Sequence, residues 1–326
     1  MNSMVRSFLA LLVLALPAVA QILPPGTRYI MSNFAEFPGG QDERLYISTS
    51  TDGLTWQALN GGAPVWQPPN WSPFNNVVRD PAIIFQDGWY WVAYTSGNYG
   101  MHQSFGLVKS TDLLHWQFVG DVSAVRPGAT TDQLTWNPVW FRDSDNSIHL
   151  SISLNLGGTG YNPTNMKVFE MHPENGDFTQ WSAPVDYNLP SSSTNELWLW
   201  KEGDLYNSFY VDLSHGGDWM RSTSKNLLTG WSTAQDIGFG SQEGGMMLPQ
   251  PDGTYRMYLE SGYSGLPVGY RVYDLDANLS NPSAGVLVDS ALPMRNGKML
   301  DLVPEPTSTA LIALAGGTIA LRRRRK

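Results

Sequence analysis

Residues 87–94 read Asp87-Gly88-Trp89-Tyr90-Trp91-Val92-Ala93-Tyr94, and residues 110–116 read Ser110-Thr111-Asp112-Leu113-Leu114-His115-Trp116. The first is a glycine turn feeding an aromatic, β-prone strand. The second is an acidic turn ending on a tryptophan, in which Asp can bond its own backbone and set the turn. Both recur. The acidic or amide turn returns as Asp52-Gly53-Leu54-Thr55-Trp56, Asp177-Phe178-Thr179-Gln180-Trp181 and Asn226-Leu227-Leu228-Thr229-Gly230-Trp231, with successive tryptophans 50 to 65 residues apart. The turn-and-strand marker returns at 146–150, 203–206 and 252–258. Between the two ends of the chain no run of ten or more residues has the 3.6-residue period of an amphipathic helix.

Repeats of this length, each with several strands, predict blades of a β-propeller. Blades open near Asp80, Trp136, Glu196 and Glu243. The strands left over at 29–33, 44–50 and 56–59 precede the first opening, and 295–302 follows the last. Together they complete a fifth blade. The expected fold is therefore all-β, a five-bladed β-propeller whose last blade is closed by N- and C-terminal strands, which removes exposed sheet edges. A β-sandwich is the alternative, since sandwiches also space short strands regularly.

Composition agrees. The 326 residues are 42% hydrophobic, 12% aromatic and 15% charged, which excludes a disordered chain. The net charge of −9, with five of the 20 basic residues crowded into the last five positions, disfavours nucleic acid as a partner. The absence of cysteine excludes disulfides, thiolate catalysis and Cys-ligated zinc.

The ends read as addresses. Residues 1–20 carry Arg6, an apolar stretch and Ala18-Val19-Ala20, the pattern of a secretory signal peptide, against the alternative of a buried N-terminal helix. Residues 21–302 form the propeller domain. Residues 303–326 run from Pro304-Glu305-Pro306 through an apolar stretch to Arg322–Lys326, a short transmembrane helix of marginal length with a cytoplasmic basic cluster. This order resembles the PEP-CTERM sorting signal. The resemblance implies export across the inner membrane of a Gram-negative bacterium, recognition by exosortase-type machinery, and a cell-surface or extracellular destination. Membrane contact is expected only through these two ends.

The innermost strand of each propeller blade lines the central channel, so polar residues there meet whatever their separation in sequence. Three openings carry an acid entering an apolar run, which is costly unless the charge is paired or used: Arg79-Asp80-Pro81-Ala82-Ile83-Ile84, Asn195-Glu196-Leu197-Trp198-Leu199 and Glu243-Gly244-Gly245-Met246-Met247. Two of them have a plain alternative. Asp80 could be a turn former before proline, and Glu196 a solvated strand entry. Glu243 sits beside two glycines that would let a ligand approach closely.

The stretch from Asp80 to Trp116 resembles the opening blade of glycoside hydrolase family 43 and its five-bladed relatives. The likeness lies in Asp80-Pro81-Ala82-Ile83-Ile84, Asp87-Gly88-Trp89-Tyr90 and Ser110-Thr111-Asp112-Leu113-Leu114-His115-Trp116. Thr135-Trp136-Asn137-Pro138 resembles the family's Trp-Ala-Pro opening of blade two, and Glu243-Gly244 its acid motif. The resemblance implies inverting hydrolysis of glycosidic bonds, with Asp80 as general base, Glu243 as general acid, and Glu196 where the family has an Asp that tunes the acid. Inversion needs carboxyl groups ~6.5–9.5 Å apart, with room for water between them. Two departures are plain. Val139 follows Pro138 where the family has Glu, and Arg295-Asn296-Gly297-Lys298 lacks the His through which some members hold a central metal. The five histidines (102, 115, 149, 172 and 215) show no metal-ligand spacing of the i, i+4 kind, so no metal and no cofactor is expected.

Candidate substrate contacts are Arg79, Trp71, Trp136 and Asn137. Trp66, Trp71 and Trp136 are the stacking platforms outside the repeat, because aromatic faces cover apolar sugar faces. The expected function is an exported glycosidase acting on arabinose- or xylose-type or related polysaccharides. The alternative is a non-catalytic glycan-binding propeller at the cell surface. An invertase-like propeller would need an Asn-Asp-Pro motif upstream of Asp80, and residues 28–79 contain none.

Overall fold

Asp87 and Gly88 both take positive φ, 50° and 82°, and so turn strand Arg79–Gln86 back into Trp89–Thr95 through a two-residue hairpin. That hairpin begins blade I of a computed structural model describing residues 23–302 apart from 73–74, 98–101, 130–132, 158–161, 241 and 262–267. The signal-peptide and sorting-tail assignments, 1–20 and 303–326, fall outside the described residues. Among the described residues no helix is long and apolar enough to cross a membrane.

The acidic turn is built as its sequence predicts. Asp112 Oδ1 accepts the backbone N–H groups of Leu114 and His115 at 2.9 and 2.8 Å, and Asp52 Oδ1 does the same for Leu54 and Thr55, both at 2.8 Å. The indole N–H of Trp56, Trp116 and Trp181 then donates to the carbonyl three residues back, at 2.8–3.0 Å. In the fourth copy the inserted Gly230 moves Trp231, which donates instead to Tyr187 O at 2.8 Å.

Five sheets result. Blade I adds Ser104–Ser110 and Gln117–Ser123 to its opening hairpin. Blade II runs Gln133–Arg142, Ile148–Leu156, Met166–Met171, Val185–Asp186. Blade III is Thr194–Glu202, Leu205–Asp212, Asp218–Ser224, Gln235–Gly240. Blade IV is Glu243–Pro249, Tyr255–Glu260, Tyr270–Leu275, Val286–Leu287. In blade V the innermost strand is the C-terminal Met294–Asp301, paired antiparallel with Tyr29–Phe37, followed outward by Gly40–Ser50 and Thr55–Ala58. The ring is closed across the two ends of the domain, as expected.

Each cleft between neighbouring blades is filled by its own hydrophobic cluster. Trp91, Phe105 and Ala82 of blade I meet Trp140, Leu150 and Ile152 of blade II, and Phe209 and Trp219 of blade III meet Met247 and Met257 of blade IV. The aromatic-rich strands are thus buried on both faces, and this apolar ring fixes where the inner strands stand.

Candidate active site

Every inner strand carries the same irregularity near its start. The pairing register slips between Arg79 and Ala82, Trp136 and Val139, Asn195 and Leu197, and Glu243 and Met246, and also where the closing strand of blade V pairs with Ser32 and Phe34. Within each slip one residue has positive φ: Asp80 (48°), Asn137 (50°), Glu196 (46°), Gly244 (68°) and Asn296 (36°). Such bulges re-aim a side chain out of the pleat. Asp, Asn and Gly adopt this conformation cheaply, whereas a Glu pays about 1–2 kcal/mol. Glu196 is the costly member of the ring.

Asp80 is buried. Its Oδ2 accepts the Thr95 hydroxyl at 2.7 Å, and Thr95 Oγ1 in turn accepts the Asn137 backbone N–H at 3.0 Å. With its amide turned to suit its neighbours, Asn137 also donates to both Asp80 oxygens at 3.2 Å. Burial raises the Asp80 carboxyl above its ordinary range, and Arg79, Thr95, Lys298 and Asn137 oppose that rise.

Glu196 is 1% exposed, which overturns the alternative of a solvated strand entry. Its Oε2 accepts the Gly244 N–H at 2.6 Å and lies 3.8 Å from the buried Lys298 ammonium. Burial pushes this carboxyl up. Lys298 and the N–H groups of Gly244 and Gly245 pull it down, while Asp80 adds to the rise.

Glu243 stands one residue before the bulge, half-buried, opposite Glu260 on the neighbouring strand. Its carboxyl is held well above the ordinary range by burial and then by the charges of Glu196, Glu260 and Asp80, with Arg79 the opposing cation. The three acids singled out in the sequence therefore act on one another electrostatically, though they come from three blades.

Around them lies a buried layer of which the sequence singled out only Arg79. Arg295, 2% exposed, pairs with Glu260 (Nε to Oε1, 2.8 Å) and with Glu36, and burial brings its guanidinium down to about 10. Arg79 pairs with the buried Glu43 at 3.5 Å. The guanidinium groups of Arg79 and Arg295 both lie over the Phe34 ring, 5.5 and 5.6 Å from its centroid. Lys298 and Glu260 carried no local signal, except that each is a charge inside a β-prone run.

The aromatic candidates divide. Trp71 donates its indole N–H to Glu43 O at 3.1 Å under the Arg44 guanidinium, and so sits beside the Glu43–Arg79 pair. Trp136 is half-buried, at the position in blade II that Arg79 and Glu243 hold in theirs. Trp66, by contrast, packs on Tyr94 and Phe118 with ring centroids 5.5 and 6.3 Å away, and serves the blade V–blade I cleft. A cleft of about 220 Å³ opens on blade I, lined by Pro69, Asn76, Val77, Ser96, His102 and Asp121 among others, and none of the three acids lines it.

A central metal does not fit these residues. Where the resemblance implies a His in blade V, Asn296 and Lys298 stand, and the ammonium lies 3.3 Å from Asn296 Oδ1 as well as 3.8 Å from Glu196. The chain's own cation, the Lys298 ammonium, stands there instead.

A family model described as a probable glycosyl hydrolase domain, related to glycoside hydrolase family 43, matches residues 25–257. No curated protein matches the sequence. Among solved structures, an α-L-arabinofuranosidase from Clostridium thermocellum is similar at 15% identity, covering 82% of this chain and 92% of that one with a TM-score of 0.57. An α-L-arabinanase from Cellvibrio cellulosa, complexed with arabinohexaose, matches at 16% identity over 82% of this chain and 96% of that one, with a TM-score of 0.53. A family 117 glycoside hydrolase from the marine bacterium Zobellia galactanivorans matches at 12% identity over 69% and 74%, with a TM-score of 0.56. At such identities the likeness is one of fold.

Proposed function

The chain belongs to the family of probable glycosyl hydrolase domains related to glycoside hydrolase family 43, and on that premise we propose that it is an exported, inverting glycosidase. Glu243 is the general acid. One observation carries the reading: Glu243 stands opposite Glu260 in the sheet, and burial, then the charges of Glu196, Glu260 and Asp80, hold its carboxyl well above the ordinary range, as an acid that donates its proton requires. Asp80 is the general base. It differs from Glu243 in being served by Thr95, Asn137 and Lys298, while Arg79 acts on both. Two carboxyls whose surroundings push them apart are the mark of an acid–base pair.

In the reaction, Glu243 gives its proton to the glycosidic oxygen as the bond to the anomeric carbon breaks. Asp80 takes a proton from the water that attacks the opposite face, and the product sugar leaves with inverted configuration. Glu196, tied to Gly244 and Lys298, holds charge beside the acid and sets its proton affinity. Asn137 and Thr95 orient the base. Arg79, Trp71 and Trp136 are the sugar contacts.

The substrate class is arabinose- or xylose-type polysaccharide or its oligosaccharides. The arabinofuranosidase and arabinanase among the similar structures support that choice. Residues 1–20 and 303–326 support export and exosortase-dependent sorting to the surface, by their sequence pattern alone.

The test is hydrolysis of aryl pentosides, arabinan and xylan by the purified protein, with product configuration read by proton NMR. Glu243→Gln is expected to lower kcat by ~10²–10⁴ while glycan binding persists. A wild-type protein that binds glycan but never turns it over would overturn the enzyme reading in favour of a glycan-binding propeller.

A further inference from the structure

At the far end of blade II, His149, Glu170 and His172 converge. Glu170 and His172 are two residues apart at the end of strand Met166–Met171 and so share a face. The antiparallel register, with Met171 opposite Leu150, brings His149 of the neighbouring strand against them. His149 Nδ1 lies 2.7 Å and His172 Nδ1 2.9 Å from the same oxygen, Glu170 Oε1, on a carboxylate that is 3% exposed. One ligand atom from each of the three lies within 4.8 Å of the other two.

A proton count at His149 shows what the cluster lacks. The Ser147 hydroxyl has one proton and donates it to Asp145 Oδ1 at 2.6 Å. The 3.0 Å contact between Ser147 Oγ and His149 Nε2 therefore requires the proton to be on Nε2. A neutral His149 then aims a bare Nδ1 lone pair at a carboxylate oxygen. That contact is attractive only if a positive charge enters it, either a second proton or a metal ion. A neutral imidazole whose outer N–H is held by a hydrogen-bond acceptor is the arrangement of a metal-ligating histidine.

We propose that His149, Glu170 and His172 form a binding site for a borderline divalent ion of the Zn²⁺ type, with the remaining position open to solvent past the half-exposed His172. Two imidazole nitrogens and one carboxylate oxygen suit such an ion, and no thiolate is available. The site stands away from the acids. His149 pairs with Phe141, four residues along the inner strand from Asn137 and so ~13 Å from it. The ion would tie the first hairpin of blade II to the blade's third strand and would take no part in hydrolysis.

The intact protein, stripped with chelator and dialysed, is titrated with Zn²⁺ by calorimetry and with Co²⁺ by visible absorption. A single equivalent should bind and raise the thermal midpoint. His149→Ala and His172→Ala should abolish binding, Ser147→Ala should weaken it ~10–100-fold, and His215→Ala, on another blade, should leave it unchanged. Failure of the wild type to bind, or binding that survives in both His149→Ala and His172→Ala with native circular dichroism, would overturn the site. Glycan hydrolysis should be the same with and without chelator, so this proposal and the hydrolase reading stand or fall separately.

Discussion

Replacing Lys298 by Met tests whether the buried ammonium is what lets two acids share the channel. The side chains of Lys298 and Glu196 are 3% and 2% exposed, and the charged atoms lie 3.8 Å apart. At that distance, with an effective dielectric of ~20, unit charges attract by ~4 kcal/mol. Removing one member of such a buried pair costs about 3–5 kcal/mol, because the other charge is left uncompensated. Lys298→Met should therefore lose about 3–5 kcal/mol at neutral pH, read from the urea midpoint, and Lys298→Met/Glu196→Gln should recover most of the loss.

The pH dependence has a definite sign. Asp80 and Glu196 have carboxyls raised in the folded state, with Lys298 opposing the rise. Taking Lys298 away raises both further. A raised acid destabilises the fold in full above its native pKa, and that penalty is lost progressively as the pH falls from there to the unfolded value. The deficit of Lys298→Met relative to wild type should shrink as the pH falls through those raised values. On the proposed mechanism, the acid limb of kcat/KM should move upward in pH, since Asp80 must be ionised. A single variant losing under about 1 kcal/mol, or a double variant no better than the single, would refute the pairing.

Three further outcomes follow from the same geometry. Glu196→Gln removes the largest charge contribution to the raised Glu243 carboxyl after burial, so the alkaline limb of kcat should move to lower pH; an unmoved or rising limb would separate Glu196 from the acid. Gly244→Ala would put a Cβ 2.6 Å from Tyr270 Oη and 3.2 Å from Asn296 Oδ1 at a φ of +68°, and should cost about 1–3 kcal/mol in urea unfolding, with a fall in kcat. Glu196→Asp keeps the charge but withdraws it from the Gly244 N–H, a bond to an ionised group worth about 1.5–3 kcal/mol; a variant as stable and active as wild type would make that 2.6 Å contact irrelevant.

The fold could be read from the sequence because its markers are local. An Asp that binds the next backbone N–H groups and a tryptophan that bonds three residues back need no distant partner, so the turn at Asp112 reports itself. Asp80, Glu196 and Glu243 were legible because an acid entering an apolar strand is conspicuous. The layer behind them was not. Lys298 reaches Glu196, and Arg295 reaches Glu36, only because the last strand closes the ring against the first. Trp66 looked like a platform because it stands outside the tryptophan repeat, yet the chain path delivers it to an interblade core. The histidine pair was hidden for a different reason. Metal spacing was sought at the helical interval, whereas a hairpin assembles ligands from one residue on one strand and two alternate residues on the next.

A Glu at position 196 makes sense once the five bulges are compared. Asp80, Asn137, Glu196, Gly244 and Asn296 occupy equivalent places, and only Gly244 offers no side chain. The space a Cβ would need at 244 is already closed by Tyr270 Oη at 2.6 Å, so blade IV presents bare backbone to the channel there. Glu196 is long enough to reach across and accept that backbone N–H. The reach carries a strained φ of 46°, which a Gly or Asn would have relieved, so stability alone does not explain a Glu at this position. What the Glu supplies is the carboxyl that, after burial, does most to raise Glu243, held from one side by Lys298 and from the other by Gly244. A longer arm in one blade and an absent side chain in the next thus form a single device, which adds to the rise that burial gives the Glu243 carboxyl.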